Sequence, residues 1–293
     1  MKNLLRTLIY DGQVSLTVAD TTEIVGEGIR LHRLSAASAY TFGKALSAMT
    51  FMSACLKNER GEISLSVKGD GSCGEIGVSG NKMLRIRGFI GNTQAEGGAN
   101  AEAERALLGE NSSITIIRDD GYSRPFVGAC ALPENGGLDE GFEEYFRISE
   151  QLPTRIKTAV ELDEKGCCVF AGFVALQPLP FADEKTLEAV KNVDLDGLLT
   201  AIKSQGIIAC VKENFQTDDV WEERKAVYKC NCSRRYLTRV LVSLGEAQMR
   251  QIIKEDGAVR VHCHYCNTDY EFFDEDIDRL FGKSKGYVDE KDG

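Results

Sequence analysis

The chain has no excess of positive charge, no long apolar run and almost no histidine, and each lack narrows what it can be. Its 35 Lys and Arg residues stand against 45 Asp and Glu, a formal net charge of −10. A protein built to wrap nucleic acid needs a basic surface, so that class is disfavoured from the outset. No stretch approaches the roughly 18 consecutive apolar residues of a membrane span. Met1-Lys2-Asn3-Leu4-Leu5-Arg6 has neither an extended apolar segment nor a small-residue cleavage site. No signal peptide is therefore expected, and the cytoplasm is the expected compartment. Of the 3 histidines, His32 alone lies outside the C-terminal region, which leaves little material for a histidine-activated nucleophile. Internal repeats are missing too, and low complexity is confined to the charged tail after Lys283.

What is present suits a folded protein of two domains: 293 residues, 43% hydrophobic and 27% charged. Residues 13–18 alternate as a half-buried strand does. Ile24, Val25, Ile29 and Leu34 are spaced for a helix, and Ser35 caps a second, more apolar helix reaching about Leu56. Strands are expected near 63–67, 74–79, 84–88, 113–117, 158–162 and 167–176. Helices and strands are grouped, not alternating, which predicts an α+β fold. Gln177-Pro178-Leu179-Pro180 breaks the last strand and marks a boundary. We therefore expect an N-terminal mixed sheet-and-helix domain over 1–180 and a metastable helical linker over 181–227. A small C-terminal four-cysteine domain is expected over 228–293. Within the linker, 183–213 reads as short helices and 214–227 as a polar connection.

Ten cysteines in a chain expected to stay in a reducing compartment are not paired by default. Four of them form two close pairs: Cys230 and Cys232 as C-x-C, then, after thirty residues, Cys263 and Cys266 as C-x-x-C. Such pairs can set four sulfurs tetrahedrally around one Zn²⁺, a closed site that holds structure and does not activate water. With Zn–S near 2.3 Å, neighbouring sulfurs sit roughly 3.8 Å apart. A disulfide needs about 2.05 Å, so each pair is also a small movement from bonding. Zinc clamp and oxidation sensor are thus both open. Structural zinc contributes roughly 10–16 kcal/mol of apparent binding energy in small domains, against about 5–15 kcal/mol of net stability for a whole domain. Losing it should unfold the terminal unit. His262 and His264 flank the second pair, but four sulfurs suffice as ligands.

Other motifs carry less. Gly69-Asp70-Gly71-Ser72-Cys73-Gly74 matches a dinucleotide fingerprint literally, yet a strand and not a helix follows it, which predicts a hairpin turn. Cys55, Cys73, Cys130, Cys167, Cys168 and Cys210 are read as core thiols. Arg224, Lys225, Lys229, Arg234, Arg235 and Arg239 make a local basic cluster with little aromatic interleaving, so nucleic acid is an unlikely partner.

Together these residues resemble the 33 kDa heat-shock chaperonin family, the redox-regulated cytosolic holdases, over almost the whole chain. Besides the cysteine pairs, the resemblance rests on Lys68-Gly69-Asp70-Gly71, on Tyr145-Phe146-Arg147-Ile148-Ser149-Glu150-Gln151-Leu152-Pro153-Thr154 and on Gln177-Pro178-Leu179-Pro180. It implies one zinc per reduced chain on Cys230, Cys232, Cys263 and Cys266. It also implies disulfides Cys230–Cys232 and Cys263–Cys266 on oxidation, an unfolded linker, a homodimer and unfolding client proteins held without ATP or catalysis. Two other classes stand beside it: a zinc-containing thiol-disulfide oxidoreductase and a nucleic-acid-binding zinc module.

Overall fold

The computed structural model describes residues 2–217 and 220–282, and the chain divides into two units, Met1–Lys229 and Cys230–Gly293. Two consecutive helices organise the first unit, α1 (Thr22–His32) and α2 (Ala36–Ala54). Ser35 caps α2 by accepting from the Ser38 amide, and every residue from Thr41 to Ala54 is buried. A helix apolar on all sides must be surrounded, and α2 is. On one side it packs against β8 (Arg155–Leu162) and β9 (Cys168–Pro178), on the other against β3 (Glu62–Lys68), β4 (Ile76–Asn81) and β5 (Arg85–Ile90).

Those strands belong to separate sheets. The first has the order β10-β1-β2-β9-β8, with β1 (Leu4–Ile9), β2 (Val14–Asp20) and β10 (Trp221–Arg224), antiparallel throughout. The second has the order β11-β5-β4-β3-β6-β7, with β6 (Ser113–Asp119), β7 (Phe126–Ala131) and the two-residue β11 (Val227–Tyr228) parallel to β5. The five-stranded sheet is covered on its far side by α5 (Glu184–Lys191), α6 (Leu195–Gln205) and α7 (Ile207–Asn214). Their Val190, Leu198, Leu199, Ile202 and Val211 share an apolar cluster with Leu5, Leu16, Val174 and Leu176 of the sheet. The expected α+β class is the one observed.

One charge sits inside the apolar helix. Lys44 Nζ lies 2.8 Å from Glu104 of α3 (Ala101–Leu108) and 3.1 Å from Asp139 of α4 (Leu138–Tyr145), all three buried. Burial works against the Lys44 ammonium, but Asp139 and Glu104 outweigh it and hold the ammonium above its ordinary range. Burial pushes the Glu104 carboxyl up. Thr158 Oγ1 donates to Asp139 Oδ1 at 2.5 Å, tying β8 into the same cluster.

The Gly69–Gly74 segment is the hairpin turn between β3 and β4. A Cβ on Gly71 would strike the backbone of Leu107 and Leu108, so glycine is there for close approach and not for phosphate. Three expectations change. Residues 214–227 are not a plain connection, because β10 lies within them and β11 begins at their last residue. β1 and β7 were not anticipated. Cys167 is exposed and not core, while Cys73 and Cys210 are buried and Cys55, Cys130 and Cys168 half-buried.

The second unit is small. Ser233 caps α8 (Arg234–Val242) by accepting from Tyr236 N, and Gly257 ends α9 (Glu246–Asp256) in the left-handed region. A hairpin of β12 (Val259–Cys263) and β13 (Thr268–Phe272) follows, then α10 (Asp274–Leu280). Leu241, Met249, Ile253, Val259, Phe272 and Ile277 form its core. The charged tail after Lys283 lies outside the described residues.

Candidate metal centre

The four predicted cysteines converge. The Sγ atoms of Cys230, Cys232, Cys263 and Cys266 all lie within 4.8 Å of one another, and all four residues are half-buried. The second pair owes its geometry to the β12–β13 turn. Asn267 takes the left-handed conformation that asparagine tolerates, and its N–H donates to Cys263 O at 2.8 Å. That closure brings the side chains of Cys263 and Cys266 to one side of a tight knuckle. The first pair is held by the bend before α8, where Cys232 N donates to Cys230 Sγ at 3.4 Å.

Across the cluster, Cys230 Sγ lies 3.7 Å from Cys263 Sγ, and Cys232 Sγ 3.2 Å from Cys266 Sγ. These are separations of unbonded sulfurs sharing a site, and the first is close to the roughly 3.8 Å edge of a ZnS₄ tetrahedron. Four soft donors, convergent and half-buried, fit a thiophilic metal ion. Neither neighbouring histidine joins them. His262 Nδ1 is 2.7 Å from Asp269 Oδ1, and its ring meets that of His264 edge-on.

The thiols are not equivalent. Burial pushes the Cys230 thiol up to about 11, and burial likewise pushes Cys266 upward. Burial also opposes the Cys232 thiolate, but hydrogen bonds from Tyr270 and the neighbouring sulfurs outweigh it and bring it down to about 7. The Tyr270 hydroxyl sits 3.3 Å from Cys232 Sγ, and that bond raises the phenol in turn. Cys266 Sγ has Thr268 Oγ1 at 3.3 Å. Sequence spacing did not single out Tyr270 or Thr268. Their one signal was a place on the strand that leaves the second cysteine pair.

Half of the basic cluster, three of its six residues, is spent on internal partners. Lys225 pairs with Glu23 at 2.6 Å, and Arg224 donates to Lys82 O. Arg234 pairs with Asp276 at 2.7 Å and stacks 4.3 Å over the Phe272 ring. Among the described residues no helix is long and apolar enough to cross a membrane.

The chain is similar to known proteins along nearly its whole length. The family described as Hsp33 protein matches residues 2–273. A 33 kDa chaperonin of Clostridium novyi (strain NT) is 32% identical over 286 residues, covering 94% of this chain and 97% of its own. That of Bacillus cytotoxicus is 30% identical over 288 residues, covering 94% and 97%. The fold is that of the crystal structure of a 33 kDa chaperonin from Thermotoga maritima, with a TM-score of 0.82 and 23% identity over 95% of this chain and 97% of that one. With its four-cysteine cluster and a match over nearly its whole length, the chain belongs to the Hsp33 family of 33 kDa chaperonins.

Proposed function

We propose that the protein is a redox-regulated, ATP-independent holdase, switched on when its four clustered thiols are oxidised. The observation that carries this reading is the convergence of Cys230, Cys232, Cys263 and Cys266 in a chain of this family. In the reduced protein the four cysteines hold one Zn²⁺ per chain. That ion, when bound, supplies a closed clamp of thiolates with no open position. The thiolates are then already in the deprotonated form that oxidants attack.

On oxidation Cys230 joins Cys232 and Cys263 joins Cys266. Each pair of thiolates gives two electrons to one peroxide, which takes up two protons and leaves as two waters. The cysteines can then no longer serve as four anionic donors, and the terminal unit loses its main constraint. Helices α5 and α7, of 8 residues each, depend on packing and not on propensity. This supports a linker over 181–227 that loosens next. Exposed apolar surface then holds unfolding proteins in the cytoplasm, with two chains associating as a dimer.

The test is a peroxide titration that follows zinc release together with aggregation of a heat-unfolded protein. One zinc per chain should leave as suppression rises, stoichiometric in chaperone and reversed by a dithiol reductant. Zinc release with no gain in suppression would sink the reading, and many disulfides exchanged per molecule would favour an oxidoreductase. Peptide mapping of the oxidised chain checks the pairing, since the short sulfur contacts here run between Cys230 and Cys263 and between Cys232 and Cys266. Cys232→Ser should weaken zinc binding by more than the about 10–100-fold that outer-shell changes cost, and should abolish reversible switching. Unchanged zinc affinity would remove this sulfur from the ligand set.

A further inference from the structure

The residues just before Cys230, 220–229, lie as a band along two sheet edges. β10 pairs with β1 from Leu4↔Arg224 to Thr7↔Trp221, and Thr7 Oγ1 donates to Val220 O at 2.8 Å. Further on, Val227 N donates to Leu84 O at 3.0 Å and Lys229 N to Ile86 O at 2.8 Å, adding β11 to β5. Between the two, the Asn3 side chain acts as a spare peptide group. Its Oδ1 accepts from Ala226 N at 2.8 Å, and its Nδ2 donates to Ala226 O at 3.2 Å.

Very little of this band is core. Within it Ala226 alone is buried, and Val220 is 75% exposed. Its other anchors are the Lys225–Glu23 pair, the Tyr228 hydroxyl, 3.0 Å from Gly88 O and 3.2 Å from His32 Nε2, and the half-buried Trp221 and Tyr228 rings, each packed at the margin of an apolar cluster. Main-chain hydrogen bonds and a few half-buried side chains hold it, and segments with so little burial open before the core does. The strands beneath are different. Leu4, Leu5 and Ile86 are fully buried, β1 stays laddered to β2 along its whole length, and β5 stays laddered to β4 from Arg87 to Ile90. Removing the band would leave two formed strands with a row of unpaired N–H and C=O groups.

We infer that the edges of β1 and β5 are binding sites for the main chain of an unfolding polypeptide, and that residues 220–229 are their resident plug. The inference rests on the holdase reading and names where a client is held. The occupant is an extended backbone because the resident is one. Trp221-Glu222-Glu223-Arg224 has no alternating apolar pattern and is seated through its peptide groups. Peptide groups are the feature all unfolding proteins share, and strand addition draws affinity from them while side-chain pockets add preference. On β1 that preference is set by Arg6, opposite Glu222, and by Lys212, 5.1 Å over the Trp221 ring. Extended segments alternating acidic and aromatic residues should fit best. Since the plug ends at Lys229, next to Cys230 in the chain, the thiol switch begins where the plug stops.

The experiment is hydrogen exchange on the full chain, reduced and oxidised, with a synthetic peptide of the 220–229 sequence as probe. Oxidation should lower protection of the edge-facing amides of β1 and β5 by about tenfold or more. The probe should restore protection and reduce aggregation suppression, and a probe N-methylated at the amides that face β1 should do neither. Asn3→Ala, which loosens the plug, should let the reduced protein bind probe where the unaltered reduced protein does not. Edge amides that stay protected while oxidised protein suppresses aggregation would overturn the inference. So would equal binding of the N-methylated probe, or cross-links showing the edges filled by 220–229 of a second copy. If oxidised protein fails to suppress aggregation at all, the holdase reading falls, while the probe still reports whether the edges open.

Discussion

In Met1–Lys229, two sheets and a helix buried on every side enclose two extended apolar clusters. Among the described residues of Cys230–Gly293, a cluster of six buried apolar side chains stands beside four half-buried sulfurs. The charges divide in the same way. The first unit sinks Lys44, Glu104 and Asp139 into its interior. The second keeps its pairs at the surface, with Arg250 facing Glu246, Asp274 and Asp278, and Arg260 facing Glu271. Small units bury too little surface to be comfortable without a staple. The first unit can therefore stand on packing, whereas the second, on the proposed function, is stable only in one chemical state of its cysteines.

The sharpest way to break this contrast is to withdraw the condition. Chelation of the reduced protein, or its oxidation, should abolish amide protection across β12, β13 and α9 and leave β3, β4 and β6 protected. The expected loss is the whole stability of the second unit, given the roughly 10–16 kcal/mol that structural zinc supplies. Exchange mass spectrometry reads both units in one experiment, and equal protection before and after would end the comparison. Next in size is Lys44→Met. It strands two buried carboxylates and should destabilise the first unit by about 3–5 kcal/mol, measured by denaturant unfolding. Zinc affinity should not move, and if it does, the units are not independent. Arg260→Ala should be smallest. Its exposed cross-strand pair with Glu271 predicts a change within about 1 kcal/mol, and a larger loss in thermal unfolding would show that surface charge, and not sulfur, holds the second unit.

Much of this contrast was legible before any coordinates. The cysteine pairs announce themselves by spacing, and α2 by an apolar run behind a serine cap. What stayed hidden has physical reasons. β1 is buried on both faces only at its start and exposes Leu8 further on, so adjacent Leu4 and Leu5 and an outward leucine break the alternation that reveals half-buried strands. β10 and β11 are seated by peptide groups, and a charged sequence such as Trp221–Arg224 carries no hydrophobic period to read. Glu104 and Asp139 reach Lys44 from distant points in the chain, and only the lone charge between Gly43 and Ala45 hinted that a partner was needed. The cysteines outside the site show the limit of composition: Cys167 reads like the other core thiols yet is exposed, whereas Cys73 and Cys210 are buried.

The pairing of Leu4–Ile9 with Trp221–Arg224 has a consequence for how the protein is made. Leu4–Ile9 cannot be edged until residue 224 has followed it from the ribosome, so until then that strand's outer rim has no partner from β10. A protein of the chaperonin family thus passes, while it is being made, through the vulnerable condition from which chaperones shield others.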